Sequence, residues 1–172
     1  LLVARKDPRG GDHAATYDAM GGLLTDTGNA GKSWTLANNS TSGSAETQLT
    51  SALGRVSRTT VTRTGPSSET RTTTSPDGTK RTTAQTATSV VSQSADGTKV
   101  ESTLAPDPQW GMSAPYAATS TVSYPSGATV KRVQTREAER TDPNDPAAVI
   151  SLSSSSSVGS GKPWRTEYVT AT

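Results

Sequence analysis

Large apolar side chains are the scarcest component of this sequence. Leu, Ile, Val and Phe supply only 22 of 172 residues, about 13%, and Phe is absent. A chain below roughly 20% in these residues struggles to bury a core of its own. The shortage excludes a helical bundle and an ordinary α/β enzyme core. No run approaches the ~18 apolar residues of a membrane-spanning helix, so no membrane span is expected. Thr (30) and Ser (24) fill the composition instead.

Low hydropathy with high net charge marks disorder, yet the formal charge is only +2 and the β-branched residues Thr and Val are abundant. That combination favours strands over coil, with a disordered Ser/Thr spacer as the remaining alternative. A Thr-rich sheet shows hydroxyls and methyls to water and needs few large side chains, especially where neighbouring segments extend it. The opening Leu1-Leu2-Val3, without an initiator Met, fits a fragment of a longer protein or an engineered product. With no cysteine, disulfides and thiolate metal sites are impossible. Leu1 to Ala4 is too short for the apolar region of a secretory signal.

Charge is unevenly spread: residues 1–54 carry −1, residues 55–81 carry +4 and residues 82–172 carry −1. Arg55, Arg58, Arg63, Arg71, Lys80 and Arg81 could form a stripe for phosphates or acidic glycans. No aromatic residue lies between Trp34 and Trp110, so platforms for base stacking are missing and no nucleic-acid partner is expected. A solvated sheet face is the simpler account of the stripe.

Turn chemistry gives the clearest local signal, because Asp-Gly and similar pairs supply the positive φ of tight hairpin connections. A two-residue loop at Asp77-Gly78 pairs Thr73 with Thr82 and Thr72 with Thr83. At Asp96-Gly97 the same geometry pairs Gln93 with Val100 and Ser92 with Glu101, and at Ser126-Gly127 it pairs Tyr124 with Thr129. Residues 105–115, with three prolines and a glycine, read as a loop in which Trp110 folds onto the sheet as an apolar plug. Residues 134–140 predict one or two helical turns or a strand running into a loop. The serine run 153–157 has the composition of a flexible linker or loose hairpin arm, and residues 164–170 alternate as a strand.

Ala19-Met20-Gly21-Gly22-Leu23 and Ala52-Leu53-Gly54-Arg55-Val56 match in pattern, with Gly21 and Gly54 33 residues apart, which suggests a duplicated unit. The first copy is fuller: Asp7-Pro8-Arg9-Gly10, then Tyr17-Asp18 running to Leu24, then a glycine turn ending at Gly31, 21 residues after Gly10. These residues resemble the RHS or YD-repeat family, whose repeats run as a D-P-x-G turn, an x-Y-D-x-x-G-R-L strand and turn, and a D-x-x-G turn. Gly22 replaces the usual Arg, and the second copy keeps Gly54-Arg55 but has Thr50-Ser51 in place of Tyr-Asp. The resemblance implies β-hairpins spiralling into a repeat sheet, often a shell around an effector domain in secreted or surface-located bacterial proteins. It carries no catalytic residue over, because the family's self-cleaving C-terminal core has no counterpart here.

The expected class is therefore all-β, successive antiparallel hairpins forming a curved or spiralling repeat sheet. Repeats are expected over 1–133, degenerate after about 56, with an irregular linker-rich segment over 134–172 ending in a strand. Tyr17, Leu23, Leu24, Leu53, Val56, Val90, Val91, Val100, Tyr124 and Val130 are expected to pack within or between layers.

Catalytic signals are weak. His13, the single histidine, sits in a polar Gly-rich stretch, and no G-x-S-x-G elbow exposes a serine nucleophile. Glu69, Asp77, Glu101 and Asp107 are carboxylates whose separation the sequence does not give. Asp26-Thr27-Gly28-Asn29 offers oxygen ligands without the EF-hand spacing. Asn38-Asn39-Ser40-Thr41, with two overlapping glycosylation sequons, reads as a polar loop. The expectation is a non-enzymatic structural segment with no cofactor and no metal, partnered by the remainder of a larger chain, an encapsulated effector or a surface glycan. The alternative is a free-standing carbohydrate-binding module stacking sugars on Trp34, Trp110, Tyr116 and Trp164.

Overall fold

The computed structural model describes residues 1–28 and 32–169. The protein is all-β: no helix occurs among the described residues, and fourteen antiparallel strands follow one another in chain order in a sheet that is not closed. Successive hairpins are thus the architecture, as the turn signals predict. The chain divides into two compact units, Leu1–Thr82 and Thr83–Thr172. The first unit holds β1 (Ala4–Lys6), β2 (Asp12–Tyr17), β3 (Leu23–Thr27), β4 (Ser33–Thr41), β5 (Ser44–Ser51), β6 (Val56–Gly65), β7 (Ser68–Thr74) and the start of β8 (Lys80–Gln85). The second holds the rest of β8, then β9 (Ser89–Gln93), β10 (Lys99–Asp107), β11 (Gly111–Ser123), β12 (Thr129–Arg140), β13 (Val149–Val158) and β14 (Trp164–Val169).

Among the described residues one turn geometry recurs six times. The first corner residue accepts a hydrogen bond from the N–H of the glycine three positions on, and its own N–H donates to the carbonyl four positions on. The pattern holds from Asp7, Asp18, Ser51, Ser75, Ser94 and Tyr124. The closing glycines Gly10, Gly21, Gly54, Gly78, Gly97 and Gly127 have φ between +71° and +86°. This is a type I turn closed by a glycine bulge, a three-residue loop whose last position needs left-handed backbone.

That loop corrects all three sequence-derived registers in the same direction. A three-residue loop slides each pairing one position from the two-residue expectation. Lys99 lies opposite Gln93 and Val100 opposite Ser92, instead of Gln93 opposite Val100 and Ser92 opposite Glu101. Ser123 lies opposite Thr129, instead of Tyr124. Ser75 bonds Thr79 across the Pro76-Asp77-Gly78 loop, which removes the expected pairing of Thr73 with Thr82 and of Thr72 with Thr83. Hydroxyl pairs across strands do form, but between other partners: Thr16 with Thr25 at 2.6 Å, Thr59 with Thr73 at 3.4 Å and Thr83 with Ser92 at 2.8 Å.

The turn also reinterprets the 33-residue match. Gly21 closes the β2–β3 turn and Gly54 the β5–β6 turn, so three strands separate them and the two turns cap opposite strand ends. What recurs at that spacing is a turn chemistry. Gly31, on which the 21-residue spacing rests, lies outside the described residues.

Four segments expected to be irregular are strand. Residues 105–115 narrow to one tight turn between Asp107 and Gly111, which pair directly, while Pro106 and Pro115 lie within β10 and β11. Residues 134–140 complete β12, and Ser153–Ser157 lie within β13, where Ser153–Ser156 pair with β12 on one side and β14 on the other and Ser157 pairs with β12. The expected irregular region 134–172 is thus largely β12 to β14, because pairing on both sides overrides a linker-like composition. Asn38 to Thr41 likewise belongs to β4. The final strand ends at Val169, and Thr170 lies outside the described residues.

No hydrophobic side chain is buried among the described residues. The buried side chains are polar: Asp107, Ser153 and Ser156, at 8%, 8% and 4% exposure. Of the ten residues expected to pack in layers, Leu24, Leu53, Tyr124 and Val130 are exposed and the other six are half-buried. Within each unit, strands touch mainly their sheet neighbours, so the cover given there comes from the side.

Candidate functional site

The repeat-motif residues serve the turns. The Asp7 carboxylate accepts N–H bonds from Arg9 and Gly11, both at 2.8 Å, and Asp18 accepts from Met20 at 2.9 Å and Gly22 at 2.7 Å. Pro8, after Asp7, presets the φ of the next corner. Asp77 and Asp96 sit one position before their glycines and each bonds the backbone and hydroxyl of the threonine two residues on, Thr79 or Thr98. The N–H of Gly11 holds the Asp7 carboxyl below its ordinary value, the Thr79 hydroxyl does so for Asp77, and the Thr98 N–H for Asp96. These carboxylates are explained by backbone capping. Tyr17 donates its hydroxyl to the Leu2 carbonyl at 2.8 Å, and the Arg55 N–H bonds the Ser51 hydroxyl at 3.2 Å.

The four candidate stacking residues have different surroundings. In the first unit, Trp34 lies on β4, 44% exposed. It lines an open groove of about 640 Å³ with Lys32, Ser51, Leu53, Arg55 and Pro76 as neighbours. Register explains the grouping: Trp34 lies opposite Ser51 and Thr50 opposite Val56, and Ser51 bonds Arg55 across the β5–β6 turn. Trp34 on β4, Ser51 on β5 and Arg55, the residue just before β6, therefore lie in one row across the sheet and line one groove. Lys32 and Arg55 make no side-chain ion pair among the described residues.

In the second unit, Trp110 sits in the β10–β11 turn, 54% exposed, and is not the apolar plug expected, since no apolar layer exists there to receive it. Trp164, also 54% exposed, lies on β14 opposite Ser156. Tyr116 is half-buried on β11, and the Arg136 guanidinium covers its ring at 4.8 Å from the centroid. Its hydroxyl accepts the Arg136 N–H at 3.3 Å.

Arg136 belongs to a polar clasp that the sequence did not reveal. Asp107, at the end of β10, accepts the N–H groups of Gln109 and Trp110 on one oxygen and Arg136 on the other, at 3.0 Å. Burial pushes the Asp107 carboxyl up, but the two N–H groups and the guanidinium outweigh it and hold it below its ordinary value. Arg140, on the same face of β12 as Arg136, donates to the carbonyls of Pro108 and Pro143, and Gln109 donates to that of Pro146 at 2.8 Å. The clasp ties the β10–β11 turn to β12 and to the β12–β13 loop. Its only sequence signal was the alternation Arg132, Gln134, Arg136, Arg140, which is also compatible with the helical reading.

The basic segment does not form one stripe. Arg58 pairs with Glu46 at 3.2 Å, while Arg63 and Arg71 share Glu69 at 3.7 and 3.8 Å. Arg58 and Arg63 occupy opposite faces of β6, five residues apart on a period of two. His13 lies 3.7 Å from Asp7, with its ring close enough to Gly28 that a Cβ there would meet it at 3.2 Å. Among the described residues no group of three or more His, Asp or Glu is placed to hold a metal ion, and Asn29, part of the oxygen-rich run, lies outside them. No family model matches this chain, and no curated protein matches it.

Proposed function

We propose that this chain is a non-enzymatic wall segment, a hairpin sheet of the RHS or YD-repeat type that forms part of a larger secreted or surface-located bacterial protein. Its work is mechanical. Cross-strand hydrogen bonds hold the wall, while Thr and Ser keep its faces wettable. The remainder of a larger chain, or an effector domain beside it, supplies the cover that the sheet lacks. The observation that carries this reading is the absence of any buried hydrophobic side chain among the described residues, in a chain otherwise ordered strand after strand. A domain that functions alone ordinarily gains its stability from such burial.

The test is the intact mass and termini of the product made by the native source, measured on unfractionated material. The proposal expects a polypeptide much longer than 172 residues containing this stretch. A mature, monomeric product bounded by Leu1 and Thr172 would overturn it.

A further inference from the structure

We infer that the groove around Trp34 is a binding site for a hexuronate unit of an acidic glycan. The inference does not rest on the wall reading, because a groove on one sheet face serves a free module and a wall segment equally.

The argument begins with the spacing of the strands. Trp34 on β4, Ser51 on β5 and Arg55, just before β6, stand in one row across the sheet. Adjacent strands lie about 4.8 Å apart, so the indole and the guanidinium stem from backbones about 9–10 Å apart with the short Ser51 between them. A pyranose ring with a carboxylate on one carbon has that reach. Its apolar face lies on the half-exposed indole, and its carboxylate meets the Arg55 guanidinium in the two-pronged geometry that arginine favours.

The second observation is electrostatic. Arg58, Arg63 and Arg71 are matched by carboxylates, whereas Arg55 and Lys32 both line the groove with no ion pair among the described residues. On the β3 side of the indole stands the Asp26 carboxylate, opposite Trp34 and close to Lys32, so the cation left to select an anion is Arg55, on the β6 side of an exposed indole that offers a flat apolar face. The third is the hydroxyl set. Ser33, Ser51 and Ser57 line the same groove, and the Ser51 oxygen accepts from the Arg55 N–H, leaving its proton free to donate. A peptide fits less well. At this point β4 is paired with both β3 and β5, and β5 with both β4 and β6, so the groove floor offers no free main-chain edge to an added strand.

The test is calorimetric titration of the full chain with trigalacturonate, with its methyl ester, and with hexaglutamate. The inference expects saturable binding of trigalacturonate that weakens as salt rises, and at least tenfold weaker binding of the ester. Trp34→Ala and Arg55→Gln should each weaken binding tenfold or more, while Arg71→Gln, a cation outside the groove, should leave it unchanged. Arg55 is exposed, so its variant separates loss of binding from loss of fold, with circular dichroism confirming the strands. No saturable binding, equal binding of the ester, or retained affinity in the Arg55 variant would each overturn the inference. Hexaglutamate binding as tightly as trigalacturonate would overturn it too, in favour of an acidic peptide.

Discussion

Gly78 shows how one residue sets the geometry of a hairpin here. It closes the Ser75–Gly78 turn at φ +83°, and a Cβ there would meet nothing within 4 Å, so replacing it tests backbone conformation alone. Gly78→Ala should cost about 1–2 kcal/mol in urea unfolding, the penalty of left-handed backbone for an L-residue, with Gly78→Asn recovering part of it. A neutral Gly78→Ala would mean that the turn is not the bulged type. Asp107 gives the corresponding prediction for charge. Its folded carboxyl titrates below the unfolded one. The stabilisation is therefore complete above the unfolded value of about 3.9 and is lost as pH falls through the folded value. Asp107→Asn keeps the acceptor for Gln109 and Trp110 but gives up the charge facing Arg136, whereas Asp107→Ala loses both. The alanine variant should be the less stable, by about 1–3 kcal/mol against the wild type, and the acid-dependent loss should be larger in the wild type than in the two variants, which retain only the share from Asp7, Asp77 and Asp96. Equal stability of the two variants across pH would show that the turn bonds contribute nothing.

The elements teach where sequence reading succeeds and where it slips. Strand identity was legible at most hairpins, because Thr and Val flank turn residues that few other structures use. Register was not. Asp-Gly fits both a two-residue loop and the last two positions of a three-residue one, and the choice depends on which residue lies across the loop. Ser94 and Tyr124, the first corners of two such turns, carried no signal that they would accept the glycine N–H. Proton NMR decides the matter at β11–β12. The three-residue loop predicts a close Hα–Hα contact between Ser123 and Thr129, the non-hydrogen-bonded pair next to the turn, and a Tyr124–Thr129 contact in its place would contradict it. The serine strand β13 was illegible for another reason. Nothing in Ser153–Ser157 demands a strand, but β12 and β14 impose one from either side, with the Arg132 Nε–H donating to the Ser156 hydroxyl at 3.0 Å. Ser155→Pro removes an N–H from a strand paired on both sides and should destabilise the second unit on the order of 3 kcal/mol. Tolerance of that proline would restore the linker reading.

At the scale of the whole molecule, the composition already stated the main result. Too few large apolar residues were present for a core, and none formed among the described residues. The same scarcity made the expected packing list fail, since Val90, Val91 and Val100 touch mainly neighbouring strands within the second unit and remain half-buried. Of the candidate site, Trp34 and Arg55 could each be singled out from the sequence, for its stacking ring and for its charge. Their adjacency could not, because it depends on the β4–β5 register. The clasp around Asp107 was hidden for the same reason, its partners lying 29 and 32 residues apart along the chain.

The central claim is that this sheet is held by its ladders and not by an apolar interior, and the heat capacity of unfolding tests it most directly. Exposure of apolar surface gives ordinary globular proteins about 12–15 cal/mol/K per residue, which for a chain of this length is roughly 2–2.6 kcal/mol/K. Scanning calorimetry of the 172-residue chain should give an increment well below that range, with a shallow transition. A sharp, cooperative transition with an increment inside the range would show that a substantial apolar interior is buried and would contradict the account.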